Sequence, residues 1–234
     1  MIRLDRASVT VHLPQASRSG HRRTLLSETS LDLSERRIAL VGANGSGKST
    51  LLRLLNGLVV PSTGRVLVEG HDTVREGRTV RRLVGFVFTD PLAQLVMATP
   101  ADDIELSLRE QIRDRSARRA QALELLAERG LASVADQSVY DLSGGERQLV
   151  ALISVLATQP AVIVADEPTT LLDLRNRDRV CAALATLPHQ VVLATHDLEM
   201  AAEADRVIVL DEGRIVADGA PASSLAAYVA LMRR

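Results

Sequence analysis

Between an apolar run, Arg37–Val41, and a stretch of helically spaced leucines, Ser49–Asn56, the chain reads Gly42-Ala43-Asn44-Gly45-Ser46-Gly47-Lys48-Ser49, followed by Thr50. No other segment narrows the fold as much. Its glycines let consecutive backbone amides curl inward around an anion with no side chain in the way. The apolar run reads as a buried strand. Leucines at 51, 52, 54 and 55 mark a helix, and Gly57 suits its end. A helix starting there turns its positive end toward the same anion. The spacing is that of a phosphate-binding loop, G-x4-G-K-[ST]. In that loop the lysine reaches the β- and γ-phosphates and the next hydroxyl binds Mg²⁺. Chance would produce it in a chain of this composition roughly once in two thousand. Of 28 basic residues only Lys48 is a lysine. A required ammonium explains that survivor, and codon bias explains the count equally well.

The rest of the chain fits an α/β fold. Arg65–Val68, Val84–Phe88, Ala161–Ala165, Val191–Ala194 and Val207–Leu210 are short apolar runs of strand length. Near-continuous apolar strands alternating with helices imply a parallel sheet covered on both faces. Asp211-Glu-Gly213 followed by Arg214–Ala217 reads as a hairpin. Residues 102–129, rich in Ala, Leu, Glu, Gln and Arg, read as a helical insertion closed by Gly130.

Composition excludes several classes. Net charge is −1 and aromatic residues are 2%, so neither a general positive field nor a base-stacking platform for nucleic acid is present. One cysteine, Cys181, permits no internal disulfide and no cysteine zinc cluster, and points to a reducing compartment. No apolar stretch reaches the ~20 residues of a membrane span. Leu149–Ala157 is interrupted by Ser154 and followed by Thr158, Gln159 and Pro160. The N-terminus, MIRLDRASVTV, is charged and lacks a signal peptide's apolar core. We expect a cytosolic chain unless a partner holds it at a membrane. We also expect no regulatory domain after the sheet.

Two further segments carry chemistry. Ala161–Glu167 (AVIVADE) is an apolar strand ending in two carboxylates. Beside a phosphate loop, Asp166 can hold Mg²⁺ and Glu167 can polarise an attacking water. Leu142-Ser-Gly-Gly-Glu146 has Ser143 and Glu146 spaced as a helix capping box. The cap does not account for Gly144 and Gly145, which weaken a first helical turn. Two glycines there do allow an anion to approach the backbone closely.

In their order these segments resemble the ATP-binding subunits of ABC transporters, over nearly the whole chain. GANGSGKST at 42–50 resembles Walker A, and LSGGE at 142–146 the ABC signature, with Glu146 where the family often has glutamine. VIVADE at 162–167 resembles Walker B, EPTTLLD at 167–173 the D-loop, and ATHD at 194–197 the switch segment with His196. The resemblance implies a P-loop NTPase (RecA-like) core with a parallel sheet, a small antiparallel β region and a helical subdomain at about 95–155, within one domain spanning 1–234. It also implies a head-to-tail dimer. Each ATP would lie between the Walker A loop (Gly42–Thr50) of one copy and Ser143, Gly144 and Gly145 of the other. Asp166 and Ser49 would hold Mg²⁺, Glu167 would activate water, and Lys48 and His196 would contact the γ-phosphate. Modest contacts of this kind converge to stabilise phosphoryl transfer.

SERRIALVGANGSGKS, VGFVFTDPLAQLVM and EPTTLLDLRN resemble, more narrowly, energy-coupling-factor transporters, and among them the ATPase of the biotin importer. Such transporters import vitamins or transition-metal ions. The resemblance places two ATPase subunits, identical or different, on the cytoplasmic face of the membrane. Above them lie a membrane scaffold subunit and a small substrate-binding membrane subunit. The helical insertion would form the cleft for the scaffold's coupling helices. Cobalt, nickel or another vitamin are alternative cargoes, and a soluble ABC-type ATPase of DNA repair or ribosome rescue is an alternative role. Against the latter stand the lack of a long coiled coil, a second ATPase copy or a basic surface. A GTPase would need N-K-x-D, which a chain whose one lysine is Lys48 lacks.

Two positions depart from the family. Where many members have an aromatic residue to stack on adenine, this chain has Val9–Pro14 (VTVHLP), leaving an aliphatic contact through Val11 or Leu13. Where the family has glutamine after a strand, this chain has Thr89, with Gln94 five residues on. Either Gln94 joins the metal site or Thr89 contacts its water. The remaining features have ordinary readings. His12, His21, His71 and His189 are surface residues. The arginines at 21–23, 78–82 and 113–119 are solvated faces, or else docking points for a partner or anionic lipid. Cys181 fills core, and Asp102, Asp103 and Glu105 complement a helix N-terminus.

Overall fold

Alternating burial lays down two long N-terminal strands, β1 (Ile2–His12) and β2 (Arg22–Leu33), paired antiparallel. Ile2, Leu4, Ala7 and Val9 are buried, while Arg3 and Arg6 between them are exposed. The apolar-run reading does not name these strands, because each buries one face only and so lacks a continuous run. The structure, a computed structural model, describes residues 1–12, 22–170 and 172–233.

The chain continues through β3 (Arg37–Val41), α1 (Lys48–Leu55), β4 (Thr63–Val68), β5 (His71–Asp72), α2 (Gly77–Leu83) and β6 (Val84–Val87). Between β6 and the next strand the long helices are α3 (Pro100–Ser107), α4 (Arg115–Glu128) and α5 (Gly144–Leu156). Then come β7 (Val162–Asp166), α6 (Leu174–Ala185), β8 (Gln190–Ala194), α7 (Leu198–Ala202), β9 (Arg206–Asp211), β10 (Arg214–Gly219) and α8 (Pro221–Met232). One sheet is antiparallel in the order β2-β1-β4-β5. The other runs β10-β9-β3-β8-β7-β6, parallel except for the hairpin strand β10.

The parallel sheet divides the core in two, and the period of the strand assigns each residue to a side. Ile38 and Leu40 point to a core shared with Leu51, Leu52, Leu54 and Leu55 of α1 and with the antiparallel sheet. Ala39 and Val41 point to a core shared with α3, α4, α5 and α6. Fully burying each leucine of α1 contributes about 1.5–3 kcal/mol. That burial holds the helix rigidly behind the loop that precedes it. On the other side, α5 is buried over Gly145 and Gln148–Val155, and from Leu149 to Leu156 its sequence is apolar but for Ser154.

Helix α5 approaches the sheet closely at Gly85 of β6, where a Cβ would overlap Cγ1 of Val155. We expect Gly85→Ala to destabilise the protein by ~1–3 kcal/mol, as overpacking in a closed core does. Urea unfolding measures this, and adding Val155→Ala should return part of the loss.

Candidate active site

Three neighbouring parallel strands end together. In the register of the sheet, Leu40 of β3 and Asp166 of β7 both lie opposite Ala194 of β8. Three groups therefore converge at this edge: the glycine loop after β3, Asp166 and Glu167 at the end of β7, and His196 after β8. This is where open parallel sheets bind ligands, outside the carboxyl ends of their strands.

The loop is held by backbone. Ser46 N donates to Ala43 O (3.1 Å), Leu51 N to Gly47 O (2.9 Å) and Gly213 N to Ser46 O (2.9 Å). A Cβ at Gly42 would run into the carbonyl oxygen of Leu210. Gly45 and Gly47 adopt φ of +79° and +108°, which glycine reaches without penalty. Asn44, Gly45, Ser46, Gly47, Lys48, Ser49 and Thr50 line a cavity of about 240 Å³ with Arg23, Leu25 and Glu167.

Lys48 is buried, and its Nζ donates to Gly42 O (2.7 Å) and Ala43 O (3.2 Å), 3.8 Å from Glu167 Oε1. The ammonium thus rests on loop carbonyls, within the cavity an anion would enter. Ser46 Oγ is buried and unpaired there, a donor for an incoming oxygen ligand. The residues fit a phosphate chain.

Ser49 Oγ donates to Asp166 Oδ1 (2.9 Å), and Arg53 Nη2 lies 3.9 Å from Asp166 Oδ2. A hydroxyl and a carboxylate side by side are the hard oxygen donors that Mg²⁺ takes, usually with retained waters and substrate phosphates. Burial pushes the Asp166 carboxyl above its ordinary pKa, against the pull of Ser49 and Arg53. A divalent cation at this place would favour the ionised form. Glu167 has φ +52°, a left-handed conformation that L-residues adopt at a cost of about 1–2 kcal/mol. Its N–H donates to Ala194 O (2.9 Å). Its Oε2 lies 2.7 Å from His196 Nδ1 and accepts from His196 N (3.3 Å) and Thr170 Oγ1 (3.4 Å). A carboxylate held so firmly can orient a water against a phosphorus centre.

The structure therefore brings together Lys48, Ser49, Asp166, Glu167 and His196. It does not bring Gln94 to them. The Gln94 amide accepts from Phe88 N (3.2 Å) and donates to Ala151 O (2.8 Å), so both ends are engaged by the backbone beside α5. Gln94 therefore stands apart from the Ser49–Asp166 pair in this structure. Thr89 stands nearer, its Oγ1 donating to Asp166 O (2.7 Å). Val11 does not line the cavity, and Leu13 lies outside the described residues, as does His21. Among the described residues of β2, Arg23 and Leu25 line the cavity.

Ser143, Gly144 and Gly145 do not line the loop cavity of their own chain. They open α5 with a complete capping box: Ser143 Oγ accepts from Glu146 N (3.3 Å) and Glu146 Oε2 accepts from Ser143 N (2.8 Å). Gly145 has a packing reason as well, since a Cβ there would overlap Asn176 of α6. Gly144 meets only Leu172, at 3.4 Å, so one face of the turn is open to a ligand.

Sequence reasoning missed a clamp behind His196. Arg177 of α6 forks onto Asp197, Nε to Oδ2 at 2.5 Å and Nη2 to Oδ1 at 2.9 Å. Asp197 in turn caps α7, accepting from Glu199 N and Met200 N (both 3.1 Å). The guanidinium holds the Asp197 carboxyl below its ordinary pKa. The helix-start aspartates at 173 and 197 are visible in the sequence, but the pairing across 20 residues is not.

Comparison with known proteins agrees with this geometry. The ABC transporter family model matches residues 26–170. The biotin transport ATP-binding protein BioM of Rhizobium etli is 43% identical over 206 residues, 88% of this chain and 92% of that protein. The energy-coupling factor transporter ATP-binding protein EcfA1 of Halalkalibacterium halodurans is 38% identical over 190 residues, 79% of this chain and 68% of that one. Among solved structures, the ATP-binding cassette MJ0796, dimeric in a post-hydrolysis state with ADP and Pi, superposes with a TM-score of 0.84. It is 29% identical, over 94% of this chain and 99% of that one.

The buried Asp166 carboxylate should oppose folding of the ligand-free protein, because its raised pKa means ionisation costs more in the fold than out of it. Asp166→Asn is expected to raise Tm in EDTA at neutral pH by about 2–4 °C. The gap should close as pH falls into the carboxylate range, where the native side chain gains its proton. The same variant should lose any Mg²⁺-dependent rise in Tm with nucleotide. Thermal scans across pH, with and without Mg²⁺ and ATP, measure all three.

Proposed function

The chain belongs to the ATP-binding subunits of ABC transporters and is an ATPase; from that premise we propose that it energises a membrane importer of the energy-coupling-factor kind, with biotin as cargo. The observation that carries this reading is a division within one chain. The phosphate loop, acid pair and histidine converge in one cavity, while the capped Gly144-Gly145 turn stays outside it. A second copy, turned head to tail, supplies that turn to the open side of the nucleotide. The relatives named for biotin and energy-coupling-factor transport support the cargo and the setting.

Each residue then has a task. Backbone amides of Gly42–Thr50 and the α1 N-terminus take the phosphates, and Lys48 transfers its ammonium from Gly42 O and Ala43 O to them. Ser49 and Asp166 hold Mg²⁺, which neutralises phosphate charge when bound. Glu167 accepts a hydrogen bond from the attacking water and aims its lone pair at phosphorus. His196, close against Glu167, reaches the γ-phosphate. Ser143, Gly144 and Gly145 of the partner close the site.

We place the protein peripherally on the cytoplasmic face. Among the described residues no helix is long and apolar enough to cross a membrane. A groove of about 330 Å³ between the sheet and the helical insertion is lined by Leu58, Phe86, Phe88, Val96 and Leu106 among others. Leu58, Val96 and Leu106 are exposed there, a surface for a helix of a membrane scaffold subunit. The helical segment, about 95–155, serves as the docking subdomain of the single domain.

Glu167→Gln should bind ATP with little change, accumulate as a nucleotide-bound dimer, and hydrolyse about 10²–10³-fold more slowly, the effect of removing one preorganised stabilising group. Size-exclusion chromatography with ATP and phosphate release measure it. Near-normal turnover, or no dimer even with the membrane partners added, would refute the assignment.

A further inference from the structure

The nucleotide site leaves one wall of its cavity without a task. Strand β2 passes beside the phosphate loop. A Cβ on Gly47 would come within 2.8 Å of Leu25 O, and Ser27 N donates to Gly213 O (2.7 Å), the residue whose N–H holds Ser46. Two residues back along the strand, on the same face as Leu25, stands Arg23. It lines the loop cavity and is exposed to solvent. Val11, opposite it in the β1–β2 register, does not reach the cavity.

We infer that Arg23 is the residue that binds the purine, its guanidinium plane lying against the face of the base while the triphosphate occupies the loop. Three observations lead there. The phosphate end of the cavity already holds an ammonium, Lys48, beside Glu167, so a second cation is not needed for the γ-phosphate. Among the described residues, the wall beyond the loop is lined by Leu25 and Arg23, one apolar and one planar. Both phenylalanines are elsewhere, stacked on each other with centroids 4.6 Å apart. A guanidinium stacks on aromatic faces as an ammonium cannot. Stacking alone does not distinguish purines, so adenine and guanine nucleotides bind with similar strength. This inference rests on the nucleotide site assigned to the phosphate loop.

The test is equilibrium binding of MgATP, MgGTP and inorganic triphosphate to the wild-type protein and to Arg23→Ala, Arg23→Lys and Arg23→Tyr. Arg23→Ala should weaken ATP and GTP alike by about 5- to 150-fold, the range of one lost stacking contact. Its triphosphate affinity should not change. Arg23→Tyr should restore ATP binding, since a ring stacks without charge, and Arg23→Lys should not. Equal loss for triphosphate and ATP, or rescue by lysine and not tyrosine, would make Arg23 a phosphate contact and overturn the inference, as would unchanged ATP binding in Arg23→Ala. If wild-type protein binds none of the three ligands, it is the nucleotide site itself that fails.

Discussion

A side chain at Gly42 would strike the carbonyl of Leu210, and one at Gly47 that of Leu25. The phosphate loop lies pressed between the end of β9 and the flank of β2, with backbone carbonyls at the closest contacts. The hairpin turn at Gly213 completes the clasp, donating to Ser46 and accepting from Ser27. Glycine here does two things at once: it permits positive φ, and it lets two sheets close on the loop from opposite sides. The leucines of α1 fix the helix behind it. A loop so confined presents its amides preorganised, and little reorganisation remains to oppose anion binding.

The charges inside the site are arranged for exchange. With the loop carbonyls as partners, Lys48 is satisfied before any ligand arrives, so its burial costs less than an unpaired ammonium would. Phosphate oxygens can replace those carbonyls at no loss of hydrogen bonds to the ammonium. Asp166 is the opposite case: its carboxylate is buried beyond what Ser49 and Arg53 offset, a deficit that a bound cation removes. Glu167 gains its fixed aim from three directions, Lys48, Thr170 and His196. The Arg177–Asp197 fork holds α7 against α6, and with it the segment that carries His196.

Much of this is legible in the sequence because the informative residues are contiguous. Parallel strands buried on both faces appear as unbroken apolar runs, and the P-loop, the acid pair and the capping box are each set by spacing within a few residues. The features that escape depend on approach across the fold. β1 and β2 hide because a one-sided strand scatters its apolar residues. Asp103 reads as a helix-start charge and is also a buried clasp: it accepts from Val96 N (2.9 Å), Met97 N (3.1 Å) and Ser154 Oγ (2.8 Å). Arg119, in a cluster that reads as a solvated face, bridges Asp102, Glu105 and Asp136. Cys181, expected in the core, is only half-buried on α6, where it lines a groove with Leu184, Val191 and Met200. The place of Arg23 comes from a strand register that no local pattern reveals.

The place of Gln94 has a structural consequence. Its amide ties Phe88 of the segment after β6 to Ala151 of α5, and Gln148 of α5 donates to Phe88 O (3.3 Å). Phe88 and Gln94 both line the groove proposed above for a partner helix. The next residue, Thr89, is bonded to the backbone of Asp166. A displacement of α5 by a helix seated in that groove would thus pull on Phe88 and Gln94, and through Thr89 on the strand end that presents Asp166 and Glu167. Placed so, the glutamine is a joint between groove and carboxylates, because a side chain committed to two backbone partners transmits movement where a free one would not. The same α5 begins with Gly144 and Gly145, the turn proposed above to meet a second copy. With a second copy and a partner helix placed as proposed, one buried helix would meet the first at its N-terminal turn and the second at its last turn, through Ser154 and Val155, so a single rigid-body shift would register in both places.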